Sequence, residues 1–344
     1  MDGSIIALIA VVLAVGIFDF TNGFHDAADM VATAIASRAM KPATAIAIVG
    51  LFTFIAPLTI GLAVADTIGT FVDLRSASAI AGESVVIAAL FSAITYNVGT
   101  WLLGIPSSSS NSLAGGLVGA GLYAIGRDHI NWGMHALSGG NLEGVAKVFT
   151  GLLVSPLCGF IIGYLIMKFF FAAFSRFTVK VESLLKASQY FSMAWLGFSH
   201  GANDAQKGMA IIGMMLLSSN VTSDFQVPVW VVIWCASAIT LGTVFGGWRI
   251  IRTLGFGLIK VKLLQSVANQ LSSALVNTLA TSIGAPTSTT QVVTASLLGN
   301  GAARNPRRVK WKTAAGIVSS WWINLPASMA MGWFFCFVYM QIRS

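Results

Sequence analysis

The sequence predicts an all-α polytopic membrane protein built from two inverted-topology repeats, with broken or re-entrant helices and about ten membrane-crossing segments. Three observations predict it: a charge-poor composition, a duplicated set of motifs, and loop charges that change sign between the two copies. Hydrophobic residues make up 56% of the 344 positions and charged residues only 9%. A soluble domain carries about a quarter charged residues. Too little polar surface remains to solvate a globule of this size, so the expected solvent is a lipid bilayer.

The elements follow in order. The apolar stretches Ser4–Phe18, Ala43–Ala65, Ser84–Leu103, Val148–Met167, Val229–Trp248 and Thr313–Tyr339 are each near or above the ~18–20 residues that span hydrocarbon. No Lys or Arg precedes the first stretch, so it is read as a retained helix and not a signal peptide. The 35 glycines suit helices that pack closely on small side chains. The net charge of +8 sits in short loops, where it sets topology, so no nucleic-acid partner is expected. Cys158, Cys235 and Cys336 lie in apolar segments without metal-ligand spacing, which favours packing over a disulfide or zinc site.

The chain repeats once, at a separation of roughly 180 residues, as a two-unit architecture would. Gly23-Phe24-His25-Asp26-Ala27 answers Gly201-Ala202-Asn203-Asp204-Ala205. Gly104-Ile105-Pro106-Ser107-Ser108-Ser109-Ser110-Asn111 answers Gly284-Ala285-Pro286-Thr287-Ser288-Thr289-Thr290-Gln291. Asn97 answers Asn277, and Gly119 and Gly121 answer Gly299 and Gly301.

Loop charges orient the copies. Arg38 and Lys41 give a basic loop whose counterpart, Ser218–Pro228, carries only Asp224. The loop with Asp73, Arg75 and Glu83 is net acidic, against Arg249, Arg252, Lys260 and Lys262. Arg127, Asp128, Glu143 and Lys147 cancel, against Arg304, Arg307, Arg308, Lys310 and Lys312. Positive loops face the cytoplasm, so the halves are expected in opposite orientation. The division is residues 1–172 for the first repeat, a basic cytoplasmic connector at 173–187, and 188–344 for the second. The expected setting is the inner cell membrane, with both termini outside. Inverted repeats are a plan of transporters that alternate access around a midplane site.

Ionisable groups at bilayer depth are functional candidates. Asp19, His25, Asp26 and Asp29 fall in one apolar segment, and Asn203, Asp204 and Lys207 in its counterpart. Asp26 and Asp204 occupy matched positions and are expected to bind a cation or proton; the alternative is that each caps a broken helix. An Asp29–Lys207 pair across the repeat interface is a further expectation. For His25 and His200 a structural hydrogen bond is the plainer role.

Each Gly-x-Pro followed by hydroxyls would break one helix and start the next, Pro suiting a first turn. The hydroxyls and free N–H groups would then form a helix N-terminus, which binds anions. The alternative is helix packing by Ser and Thr.

At these motifs the chain resembles the inorganic phosphate transporter (PiT) family. Its second signature, Ser199-His200-Gly201-Ala202-Asn203-Asp204-Ala205-Gln206-Lys207-Gly208, is similar to that of the bacterial low-affinity, proton-coupled branch. The resemblance covers both halves. It implies phosphate uptake by symport with H+ or Na+, without a further cofactor. It implies coupling roles for Asp26 and Asp204, helped by Asn203 and Asn22, with Na+ at Asp26 and Asp204 as one form; Asp29 and His25, at the same depth, are further coupling candidates. It implies a phosphate site at Ser107, Ser108, Ser109, Ser110 and Asn111 together with Thr287, Ser288, Thr289, Thr290 and Gln291. The substrate would be inorganic phosphate, alone or as a metal–phosphate complex, and the assembly a homodimer. Asn111 and Gln291 stand where many members have His, and Asp29 where Asn is usual.

The leading function is therefore a phosphate symporter and not an enzyme. A sulfate permease of the same family is the nearest alternative. An anion channel and an intramembrane serine hydrolase are remote ones. The hydrolase lacks a Gly-x-Ser-x-Gly elbow, and His129 and His135 fall in a loop predicted outside.

Overall fold

The computed structural model describes residues 3–74, 77–105, 107–134, 139, 141–174, 179–246 and 261–343. Among them the chain forms eleven α-helices and no strand. In the first half these are α1 (Gly3–Ala36), α2 (Pro42–Thr59), α3 (Ala63–Gly69), α4 (Ala79–Leu103), α5 (Ser109–Ala124) and α6 (Gly144–Ala173). The second half has α7 (Val179–Ser218), α8 (Val229–Phe245), α9 (Leu263–Ser282), α10 (Thr289–Arg304) and α11 (Trp311–Arg343). α1, α2, α4, α6 and α11 are long and apolar enough to cross a membrane, and α8 is a shorter apolar helix. Their outer faces carry large exposed side chains such as Leu157, Phe169 and Trp322, a surface suited to hydrocarbon.

Several elements depart from the sequence expectation. The first apolar stretch does not stop at Phe18: α1 continues through the polar signature to Ala36. Asp26 and Asp204 therefore lie inside continuous helices and cap nothing. The alanines around them are strong helix formers, and the Thr290 hydroxyl on α10 gives Asp26 a partner from another helix. The stretch Ala43–Ala65 divides. α2 ends at Thr59, and α3 restarts at Ala63 with its N-terminus held by Gln206, whose Oε1 accepts from Val64 N–H (2.9 Å) and Ala65 N–H (3.0 Å). This supplies from α7 the cap that the sequence before α3 lacks. Residues 179–187 of the expected connector are the first turns of α7. Arg75, Pro106, His135, Arg176, Arg249, Arg252 and Lys260 lie outside the described residues.

The breaks at the hydroxyl motifs are built alike. α4 ends on Gly104 at φ 70°, and Gly284 follows α9 at φ 68°. Both sit in the left-handed region that glycine adopts without a Cβ clash. Ser108 and Ser288 are extended, and a helix restarts after each, at Ser109 and Thr289. Pro286 precedes the cap instead of entering the first turn. α5 and α10 have 16 residues each, roughly 24 Å at 1.5 Å per residue, short of a ~30 Å hydrocarbon core. Protein surrounds them: Ser109–Gly121 and Thr289–Ala303 are buried throughout.

Packing pairs eight of the described helices across the two halves. α5 lies along α11 and α10 along α6, while α1 lies along α8 and α2 along α7. Matched glycines allow the close approaches. A Cβ on Gly23 would strike the Ile239 carbonyl, and one on Gly201 the Thr53 carbonyl. A Cβ on Gly119 would strike the Met329 carbonyl, and one on Gly299 the Phe160 carbonyl. Small residues at these positions bring backbones into the van der Waals contact that holds helices together where lipid supplies no hydrophobic drive.

Candidate functional site

α1 and α7 present the same polar pattern. Asn22, His25, Asp26 and Asp29 recur at helical spacing as His200, Asn203, Asp204 and Lys207, which puts each set on one face. All eight are buried, Lys207, Asn203, Asp204 and His200 completely. Buried ionisable groups are costly without partners, so the partners define the site.

The hydroxyl motifs are helix N-termini, as expected. Ser108 caps α5, its Oγ accepting from Asn111 N–H at 3.1 Å. Ser288 caps α10, its Oγ accepting from Gln291 N–H at 3.4 Å. The two motifs touch: Ser110 Oγ donates to the Thr287 carbonyl at 2.5 Å. Ser107 bonds Thr100 at 2.7 Å, and the Ser108 carbonyl accepts from Asn324 at 2.8 Å. Two positive helix ends therefore meet in the interior.

The carboxylates meet the same termini. Thr290 Oγ1 donates to Asp26 Oδ1 at 2.7 Å and also hydrogen-bonds Asp29 Oδ2. His200 Nδ1 lies 3.3 Å from Asp204 Oδ2 and 3.4 Å from Thr289 Oγ1. Oxygens of Asp26 and Asp204 and a ring nitrogen of His200 all fall within 4.8 Å of one another, as do ligand atoms of His25, Asp26 and Asp29. His25 Nδ1 is 3.7 Å from Asp26 Oδ1. Asp29 Oδ1 and both amide atoms of Asn22 are buried without a hydrogen-bond partner among the described residues. The oxygen donors suit a hard cation or a proton.

Lys207 departs from expectation. Its Nζ pairs with Asp204 Oδ1 at 2.7 Å on its own helix, not with Asp29, and reaches Ser109 Oγ at 3.5 Å. A small cavity of about 10 Å³ lies between Lys207, Ser110, Pro286, Ile68 and Phe71. That is room for about one water, so entry of an oxyanion here requires the surrounding helices to part.

Asn203 is engaged in scaffolding. It accepts from Thr287 N–H at 3.0 Å and donates to the Ala285 carbonyl at 3.2 Å and to Thr281 at 2.9 Å. Asn111 and Gln291 line a different, apolar cavity of about 530 Å³ among Phe149, Leu152, Trp321 and Leu325. Asn277 joins the site unforeseen in that role: its Oδ1 accepts from Thr287 Oγ1 at 3.2 Å, and its Nδ2 donates to Thr289 at 3.3 Å. Its match to Asn97, which accepts from Ser112 at 3.1 Å, was the available signal. For His200 the signal was its spacing of four residues from Asp204, one helical turn.

Residues 22–332 match the profile of the phosphate transporter family. A Rhizobium meliloti (strain 1021) protein named "probable low-affinity inorganic phosphate transporter" is 41% identical over 327 residues, covering 94% of this chain and 93% of its own. A Bacillus subtilis (strain 168) protein of the same name is 36% identical over 335 residues, covering 96% and 97%. Among solved structures, "the sodium-dependent phosphate transporter" has a similar fold, with a TM-score of 0.84 and 22% identity over 98% of this chain and 99% of that one. The apolar helices and these relatives mark an integral membrane protein, and the chain belongs to the phosphate transporter family, a family of transporters and not of enzymes.

Proposed function

We propose that the protein imports inorganic phosphate by symport with H+ or Na+, through alternating access of two inverted repeats. The observation that carries this reading is the Thr290 hydroxyl, which lies in the first turn of α10 and bonds the carboxylates of Asp26 and Asp29. Anion and cation sites thus share atoms, and occupancy of one changes the electrostatics of the other. Phosphate would bind where the N-termini of α5 and α10 meet, with Ser109, Ser110, Thr289 and Thr290 nearest. The cation would lie among Asp26, Asp204 and His200, with Asp29, His25 and Asn22 adjoining. Asn203 would act by holding the Thr287 loop.

The inverted plan, 1–172 against 188–344, is supported by reciprocal packing of α5 on α11 and α10 on α6, and by the matched glycines at both crossings. The relatives are named for phosphate, and nothing favours sulfate. The test is labelled-phosphate uptake into proteoliposomes under separately imposed proton and sodium gradients. Accumulation is expected under one gradient and not without it. Equal flux with no cation gradient would make the protein a channel and end this reading. Asp204→Asn is expected to insert normally and lose concentrative uptake.

A further inference from the structure

Phosphate carries one or two negative charges, and neither hydroxyl motif contains Lys or Arg. Lys207 is a fully buried cation between the two kinds of site. Its ammonium is 2.7 Å from Asp204 Oδ1 and 3.5 Å from Ser109 Oγ, the first helical residue of α5. It lines the same small cavity as Ser110 and Pro286, one residue from each motif. A Lys side chain has a flexible stem and three donors on a compact charge, so a small rotation moves the ammonium from the carboxylate to an oxyanion at the α5 terminus.

We propose that Lys207 is a tethered cation that alternates between Asp204 in the empty carrier and phosphate in the loaded one. This rests on the phosphate symport reading and adds its coupling device. With no substrate, Lys207 neutralises Asp204, and the carrier resets without a bound cation on that carboxylate. Phosphate arriving at Ser109 and Ser110 attracts the ammonium. Asp204 then loses its partner, and the uncompensated buried carboxylate favours capture of the coupling cation with Asp26 and His200. Phosphate binding thereby raises cation affinity, and reciprocally. The other charged or titratable groups of this cluster are Asp19, His25 and Asp29 on α1 and Cys235 on α8. Cys235 faces Asp19, and Asp29 is taken by Thr290. Asp19 also feels the charges of Lys207 and Asp204 and stands beside the exchange among Lys207, Asp204 and the anion.

The test compares wild type with Lys207→Gln in proteoliposomes, using radiolabelled inorganic phosphate. Two quantities are read: the phosphate dissociation constant of the purified protein, and the ratio of net uptake to phosphate–phosphate exchange. Loss of one charge-assisted contact is expected to weaken phosphate binding by about tenfold or more. The ratio is expected to fall as well, because a carrier whose Asp204 has no internal partner must reset with a cation bound or not at all. A role confined to folding would change the yield and leave both quantities alone. An unchanged affinity or an unchanged ratio overturns the proposal. If Lys207→Gln does not insert, the charge-balanced Asp204→Asn/Lys207→Gln variant takes its place, and wild-type phosphate affinity in it overturns the proposal equally. Failure of wild type to accumulate phosphate would instead sink the symport reading, so the two failures are distinct.

Discussion

Thr290 offers one hydroxyl proton to two carboxylates. Asp26 receives it at 2.7 Å and Asp29 shares the oxygen. Two adjacent carboxylates around one donor leave a deficit of positive charge that a bound cation or proton would fill. Thr290→Val removes the donor and keeps the shape. It is expected to leave insertion intact and to cost about 1–3 kcal/mol at the site, read as roughly a fivefold or larger loss of phosphate uptake rate at limiting cation. Uptake equal to wild type would separate the hydroxyl from coupling. Asp26, Asp204 and the hydroxyl runs were legible in the sequence because duplication singled them out. The partner of Lys207 was not. Matched numbering pointed across the interface to Asp29, whereas a residue three positions away is a neighbour on the same helix face, and Asp204 is that residue.

At the scale of elements, the long apolar helices were visible by length alone, because hydrocarbon thickness sets them. The division of α2 from α3 was not, since Ile60, Gly61 and Leu62 read as a continuation of the apolar run. The cap that makes α3 a separate helix comes from Gln206, a tertiary contact no local pattern encodes. The glycine crossings give a clear prediction. Gly119→Val and Gly299→Val each drive a side chain into a backbone carbonyl of the packed partner, where neither helix has room to yield. Both are expected to abolish the folded peak in size-exclusion profiles, while Gly99→Ala, in open space, is expected to leave it. Ser288→Ala removes the cap of α10 and is expected to destabilise by about 1 kcal/mol, measured as a lowered melting temperature in detergent.

For the whole molecule, loop charges predict opposite orientations for the halves, and the reciprocal pairing of helices lay beyond them. Charge fixes which side a loop occupies and says nothing about which helix its neighbour embraces. The orientation has a direct check. In a cysteine-free background, Lys41→Cys and Ser223→Cys are expected to react with an impermeant maleimide from opposite sides of sealed vesicles. Labelling from one side alone would remove the inverted plan.

Gln206 gives the small cavity beside Lys207 a mechanical property. Its amide grips the start of α3 at three points: Val64 N–H, Ala65 N–H and, through Nε2 at 3.0 Å, the Gly61 carbonyl. Ile68 and Phe71, on and just beyond α3, wall that cavity. The grip begins one residue from the ammonium, so α7 and the wall are fastened together like a latch and its door. Any tilt of α7 drags the wall along, and prising the wall open alone means stripping two backbone donors of their acceptor. Gln206→Leu cuts this fastening, and the wall would then swing free of the charge it encloses.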